Sequence, residues 1–202
     1  ELQGPGARAG APAGTGTIAG ASYSGMETTT LLIPAVFTYR GTDGADVITV
    51  QAITVDGDAG WIEIARTAGP TAQVKLAAGT PAVSSVRILA GAGDDRITVG
   101  ALPAALLGLA VLGESGADTL TGPDAVTGWT LPGLDDVTAG RLGSQTTFVG
   151  FESLAGGSGA DTLTGSIPGG ETFVLTGSGA GTVGGFAFAG FEALVGAGTA
   201  DE

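Results

Sequence analysis

Short runs of glycine and small residues, each ending in an aspartate and opening onto an apolar–threonine pair, recur along this chain and constrain its fold more than any other feature. The copies are Gly41–Thr49, Ala90–Thr98, Gly113–Thr121 and Gly156–Thr164, with a shorter one at Gly196–Asp201. Glycine adopts backbone conformations closed to other residues, so each copy is read as a turn. Two residues after the aspartate stand Ile48, Ile97, Leu120 and Leu163; three after it stand Thr49, Thr98, Thr121 and Thr164. That alternation is a strand with one face inward. Two residues before the copies stand Tyr39, Ile88, Val111, Leu154 and Leu194, so a second strand runs into each turn and every copy is a corner between two strands.

The motif aspartates Asp46, Asp95, Asp118, Asp161 and Asp201 lie 49, 23, 43 and 40 residues apart. These intervals read as multiples of a coil of about 20 to 24 residues, a unit that cannot bury its apolar face alone and must stack on its neighbours. The expected fold is therefore all-β: a single-stranded parallel β-helix, or β-solenoid, spanning 41–202. Phe148-Val-Gly-Phe-Glu-Ser-Leu154 recurs as Phe188-Ala-Gly-Phe-Glu-Ala-Leu194, a duplication of two coils. Trp61–Ala65, Gln73–Ala77, Trp129–Leu131 and Thr172–Thr176 have the same strand character and are expected to supply further faces. Pro103–Leu112 is open between a short helical turn and strand or loop. Residues 1–40 form a separate Gly/Ala/Thr-rich segment, read as a linker, a cap or an exchanged strand. Its two β-prone runs, Thr28–Pro34 and Ala35–Tyr39, could pair with the first coil or with a neighbouring subunit.

Composition narrows the chemistry. With 39 glycines among 202 residues and 13% charged residues, an ordinary helical domain is excluded. Twenty acidic against seven basic residues leave a net charge of −13, which repels nucleic acid and anionic membranes and suits divalent cations. Cysteine and histidine are absent, so disulfides, the usual zinc sites and histidine catalysis are excluded, and any metal must be held by oxygens. The longest apolar run, Ala101–Leu112, is too short to span a bilayer. No basic-then-apolar leader follows Glu1, so a signal peptide is expected to be absent or removed.

The full copy Gly156-Gly-Ser-Gly-Ala-Asp-Thr-Leu-Thr164 resembles the G-G-x-G-x-D-x-U-x nonapeptide of the RTX (repeats-in-toxin) calcium-binding proteins, and more loosely the extracellular β-solenoid adhesins of bacteria. The resemblance implies calcium as cofactor, an extracellular or cell-surface location, and metal candidates at Asp43, Asp46, Asp94, Asp95, Asp118, Asp161 and Asp201. Asp95 with Asp118, one coil apart, and Asp43 with Asp46 are the favoured pairs. Against this stands a plainer reading in which each aspartate caps its own turn through backbone hydrogen bonds. Glu152 and Glu192 are also open between two placements: inward carboxylates, or exposed ones beside a bulge at Gly150 and Gly190 that buries Phe151 and Phe191.

The expected function is non-enzymatic: an extracellular structural or adhesive β-solenoid, a subunit of a head-to-tail homopolymer or a segment of a larger fibre. Cell-surface or matrix polysaccharide is a further expected partner; nucleic acid and membrane insertion are not. A truncated corner at the C-terminus, with uncapped strand edges, motivates the head-to-tail expectation. Two alternatives stand beside it. One is a calcium-dependent RTX-type module of a larger secreted protein; the other is a β-helix polysaccharide lyase or epimerase using Arg66, Lys75, Arg87 or Arg96.

Overall fold

The computed structural model describes residues 36–76, 83–131, 139–166 and 172–196, and the backbone of 14–18 and 21–26. All regular structure among these residues is β. The strands are β1 (Gly14–Ile18), β2 (Ala21–Met26), β3 (Val36–Arg40), β4 (Val47–Val55), β5 (Asp58–Arg66), β6 (Thr71–Lys75), β7 (Ser85–Ala92), β8 (Arg96–Val99), β9 (Gly108–Ser115) and β10 (Thr119–Thr121). They continue with β11 (Gly128–Thr130), β12 (Gly140–Leu142), β13 (Thr146–Val149), β14 (Ser153–Ala155), β15 (Thr162–Thr164), β16 (Val174–Gly177), β17 (Ala180–Val183), β18 (Phe186–Ala189) and β19 (Ala193–Val195).

Two mixed sheets carry the body. One has the order β3-β7-β9-β13-β12-β11-β15-β19, the other β6-β5-β4-β8-β10-β14-β18-β17-β16; β1 and β2 form an antiparallel pair of their own. Four motif-bearing or motif-like corners join consecutive levels of the two sheets: β3 to β4, β7 to β8, β9 to β10 and β13 to β14. Their strands pair in parallel and in register on each side, with Ile88 opposite Val111 in one sheet and Ile48 opposite Ile97 opposite Leu120 in the other. Ile48, Ile88, Ile97, Val111, Leu120 and Leu163 are fully enclosed, so the alternation written in the sequence sets the inward face.

The parallel register is interrupted three times, which spacing alone did not reveal. Residues between Asp46 and Asp95 do not make a further coil. β4 runs on and folds back through β5 and β6 as an antiparallel meander that widens one sheet. β12 and β11 make a similar double reversal in the other sheet, and β17 and β16 extend the far end. Asp56 and Gly57, both with positive φ, form the tight link between β4 and β5, where a type I′-like turn suits a two-residue hairpin. Trp61–Ala65 lies in β5, Gln73–Lys75 in β6, Trp129 in β11 and Val174 in β16; Pro103–Leu107 is a loop with a turn closed by Leu106 N–H to Pro103 O, and β9 follows. Of the β-prone runs near the start, Val36–Tyr39 lies in β3 and pairs with β7, whereas 28–34 lies outside the described residues.

The core fills the space between the sheets mainly with Ile, Val and Leu, joined by Phe37 and Tyr39 on β3 and by a cluster of aromatic rings where the register breaks around β11–β13 and β18. Trp129 meets Phe148 edge-on at 5.8 Å and Phe191 at 5.5 Å, while Phe188 packs on Phe191 at 6.2 Å. Large rings span the irregular gap that aliphatic side chains could not fill without voids.

Candidate functional site

The acidic corners are the candidate site, and they fall into two stacks on opposite edges of the body. At the edge where β3, β7, β9 and β13 hand over to the second sheet, Asp46 N–H donates to Asp95 Oδ1 at 2.7 Å, and Asp95 N–H donates to Asp118 Oδ1 at 2.8 Å. Asp118 N–H in turn donates to Glu152 Oε2 at 2.7 Å. At the opposite edge, Thr127 N–H donates to Asp161 Oδ1 at 2.9 Å and Asp161 N–H to Glu192 Oε2 at 2.7 Å. Each carboxylate thus reaches one level back and satisfies the amide of its counterpart there.

The reason is geometric. A strand pairs its amides along the sheet, but a corner turns them out of the ladder, and a buried unpaired N–H costs as much as a lost hydrogen bond. A carboxylate one level on repairs this for the amides of Asp46, Asp95, Asp118, Thr127 and Asp161. The corner carbonyls are spent in the other direction: Asp46 O accepts from Arg96 N–H, Asp95 O from Thr119 N–H and Asp161 O from Glu192 N–H. Close approach of consecutive corners also fixes the glycines. A Cβ on Gly113 would overlap the Gly150 carbonyl and stand 2.6 Å from Asp118 Oδ2, and Gly156 faces Gly190 and Asp161 in the same way.

The second carboxylate oxygen distinguishes two kinds of corner. Asp46 Oδ2 accepts Thr42 N–H at 2.6 Å and Thr42 Oγ1–H at 2.9 Å, and Asp161 Oδ2 accepts Gly157 N–H at 2.7 Å, so both close their own turn. In the other two copies the residue four before the aspartate has positive φ, Gly91 at 114° and Glu114 at 70°, and the pair Gly91–Glu114 continues the β7–β9 ladder. That residue's amide no longer reaches the carboxylate. Asp95 Oδ2 and Asp118 Oδ2 are buried without a hydrogen-bond partner.

The electrostatics follow. Burial raises the Asp95 carboxyl above the ordinary range against the lowering effect of the bond from the Asp46 amide, and repulsion from Asp46, Asp94 and Glu114 adds to the rise. Burial likewise raises Asp118, with repulsion from Asp95, Glu152 and Asp94. For Asp46 burial also pushes upward, but the bonds from Arg66 and Thr42 prevail and the group is lowered. Arg66 Nη1 donates to Asp46 Oδ1 at 2.8 Å, the place an amide of a preceding corner would occupy. Its own pKa is raised by that bond.

Of the remaining candidates, Asp43 is exposed. Asp94 is exposed too and accepts Ala117 N–H from the next corner at 2.9 Å; Asp201 lies outside the described residues. Among the described residues, no three acidic side chains form a group able to hold a metal ion by themselves. Arg66, Lys75, Arg87 and Arg96 do not gather around one cleft: Arg66 is engaged with Asp46 and Lys75 with Asp58, while Arg87 and Arg96 stand exposed on different sheets.

Glu152 and Glu192 turn out to be members of the stacks. Phe151 and Phe191 are buried and the glutamates exposed, but through the corners and not through a bulge: Gly150 and Gly190, with φ of 72° and 73°, stand just past the ends of β13 and β18 and turn the chain there. A signal for their role was present: Glu152-Ser-Leu154 and Glu192-Ala-Leu194 place an acid two residues before an inward leucine, the offset of Asp118 to Leu120. The longer side chain reaches the same amide from a shorter turn. Among the described residues no helix is long and apolar enough to cross a membrane. No protein-family model matches the sequence, and no curated protein or solved structure matches it.

Proposed function

We propose that the chain is a non-enzymatic structural module: a parallel β-helix, interrupted by three antiparallel excursions, that serves outside the cell as a scaffold or adhesive segment. The observation that carries this reading is the carboxylate stack from Asp46 to Glu152, in which acidic groups hold backbone to backbone from one level to the next. Low charge density, net acidity and the absence of cysteine support the extracellular expectation that the RTX-like resemblance raises. Polysaccharide of the cell surface or matrix is retained as a partner through that same resemblance.

Calcium enters this reading at two positions. Asp46 and Asp161 have both oxygens engaged and do not fit a cation ligand's role, whereas Asp95 and Asp118 on adjacent levels each keep a buried Oδ2 without a partner. A bound calcium ion would be held by those two carboxylates together with backbone oxygens and would supply the positive charge that the pair lacks. Far-UV circular dichroism and thermal unfolding with calcium and with chelator test this; a melting temperature that calcium leaves unchanged removes the ion from the scheme.

The scaffold reading itself is tested by hydrogen exchange, in which the amides of Asp46, Asp95, Asp118 and Asp161 should exchange together in the slowest class. Rapid exchange of these amides would overturn it. Release of unsaturated product from alginate or pectate would overturn the non-enzymatic assignment.

A further inference from the structure

We infer that the inner face of β5 and β6 is a docking surface for an amphipathic two-stranded ribbon, and that the chain's own β1–β2 hairpin occupies it as a detachable cap on the first end of the core. The two sheets do not match at this end. β3 passes through its corner into β4 and faces it, and among the described residues β3 is the last strand of its sheet, whereas the opposite sheet runs on through β5 and β6. The inward residues of those two strands are nevertheless enclosed: Ile62 stands opposite Val74 and Ile64 opposite Ala72, and with Leu76 all are buried. An apolar face two strands across, about 10 Å wide, is therefore covered by something beyond β3.

The β1–β2 hairpin has the width, the chemistry and the place. It is two strands wide, and β1 lies alongside β3, at the end of the sheet that faces β5 and β6. Its register pairs Gly16 with Tyr23 and Ile18 with Ala21, and a shift after Gly14 brings Met26 opposite Gly14. Alternation then puts Gly16, Ile18, Ala21, Tyr23 and Met26 on one face of the ribbon and Thr15, Thr17, Ser22 and Ser24 on the other. One face is apolar and the other is made of hydroxyl residues, with no charged residue from Ala9 to Met26. A ribbon of two strands is marginal in water and needs an apolar surface to rest on. Tyr39 of β3 donates to Pro70 O, in the turn between β5 and β6, at 2.8 Å, which holds the end of that face next to β3. The hairpin forms a sheet of its own, without a ladder to β3. Burial of its apolar face is therefore what retains it, and the cap can leave without breaking either main sheet.

The test is hydrogen exchange of the full chain carrying Ile18→Asp or Tyr23→Asp, with Ser22→Asp as the control on the hydroxyl face. The first two should release the cap and speed exchange across β5 and β6 about tenfold or more, with increased binding of a fluorescent dye that reports exposed apolar surface. Ser22→Asp should leave both as in the wild type, which separates the apolar face from hairpin formation as the cause. Equal effects from all three, or none from any, would overturn the proposal. A protease site placed between Met26 and Val36 gives a second measurement on the same folded chain. Retention of the N-terminal piece on the body in gel filtration after cleavage, or its loss with faster exchange in β5 and β6, supports the cap. Its loss with exchange there unchanged would show that another segment covers the face. Elution of the uncut chain as a dimer whose β5 and β6 exchange slows with concentration would hand the face to the hairpin of a second copy, and would likewise overturn the assignment.

Discussion

Replacing each motif aspartate by asparagine should change stability with opposite signs at different corners, although the corners look alike in sequence. Asp46→Asn keeps an acceptor oxygen but removes the charge that Arg66 faces at 2.8 Å and that two donors from Thr42 share. A hydrogen bond to a charged group is worth about 1.5–3 kcal/mol, and a half-buried guanidinium left unpaired adds to the loss. About 2 kcal/mol corresponds to roughly 4–8 °C in melting temperature for a chain of this length. Asp118→Asn keeps the acceptor for the Asp95 amide while removing a buried charge that has no partner on Oδ2. Its melting temperature at pH 7 should match or exceed the wild type. Asp118→Ala removes the acceptor as well and should cost about 1–3 kcal/mol, the desolvation penalty of the orphaned amide.

The pH dependence carries the same signs. Asp95 and Asp118 have folded-state pKa values above those of the unfolded chain, so the folded state takes up protons first and gains stability as pH falls from neutrality toward their unfolded values near 4. Asp46 is lowered, so its contribution is present above its unfolded pKa and is lost as pH falls below about 4 through the folded value. Thermal unfolding in chelator should therefore show a maximum on the acid side of neutrality. Asp95→Asn and Asp118→Asn should flatten the rise, and Asp46→Asn should flatten the fall. If Asp118→Asn destabilises at pH 7 as much as Asp46→Asn does, the distinction between the two kinds of corner is wrong.

Three further outcomes follow. Gly113→Ala should cost about 3 kcal/mol or more in urea unfolding, because its Cβ would overlap the Gly150 carbonyl, whereas Gly44→Ala, with open space around it, should be neutral or gain about 0.4–1 kcal/mol. Glu192→Ala should leave the Asp161 amide without its acceptor and speed its hydrogen exchange selectively, at a cost of about 1–3 kcal/mol; unchanged exchange at Asp161 would remove Glu192 from the stack. Trp129→Ala should cost about 3–5 kcal/mol, since a fully buried indole wedged between Phe148 and Phe191 leaves a cavity its rigid neighbours cannot close.

Legibility in the sequence followed locality. The strand into each corner, the corner, and the strand out of it lie within a dozen residues, and the inward places of Ile48, Ile97, Leu120 and Leu163 could be read from alternation alone. What each corner stacks upon is a long-range fact. Asp46 and Asp95 are 49 residues apart yet adjacent in the stack, because the intervening strands pair sideways with β4 instead of adding a level. The 40-residue duplication misled in a related way. Phe148–Leu154 leads from the first sheet to the second, and Phe188–Leu194 from the second to the first, so identical local chemistry serves opposite edges. Strand sense within one copy carries no label for the sheet it joins.

The stacks also explain how an acidic chain tolerates carboxylates placed one above another. Like charges on adjacent levels repel, and Asp95 and Asp118 show it. Each carboxylate nevertheless accepts an amide that would otherwise be buried and unpaired, and that loss would recur at each of these corners, whereas the repulsion is relieved wherever a second donor is found. Thr42 and Arg66 supply such donors at Asp46, and Gly157 supplies one at Asp161. At the β7–β9 levels the amide that could do so is turned into the sheet ladder, and the charge is left for a proton or a cation to neutralise. Arg66 occupies the position of a preceding amide, so the stack begins at Asp46 by substitution of a cation for a level of backbone. Arg66→Ala should therefore raise the Asp46 carboxyl and lower stability by about 1.5–3 kcal/mol, with the loss shrinking below about pH 4 as Asp46 protonates. A loss that persists undiminished in acid would show that Arg66 acts through packing of its stem and not through the carboxylate it faces.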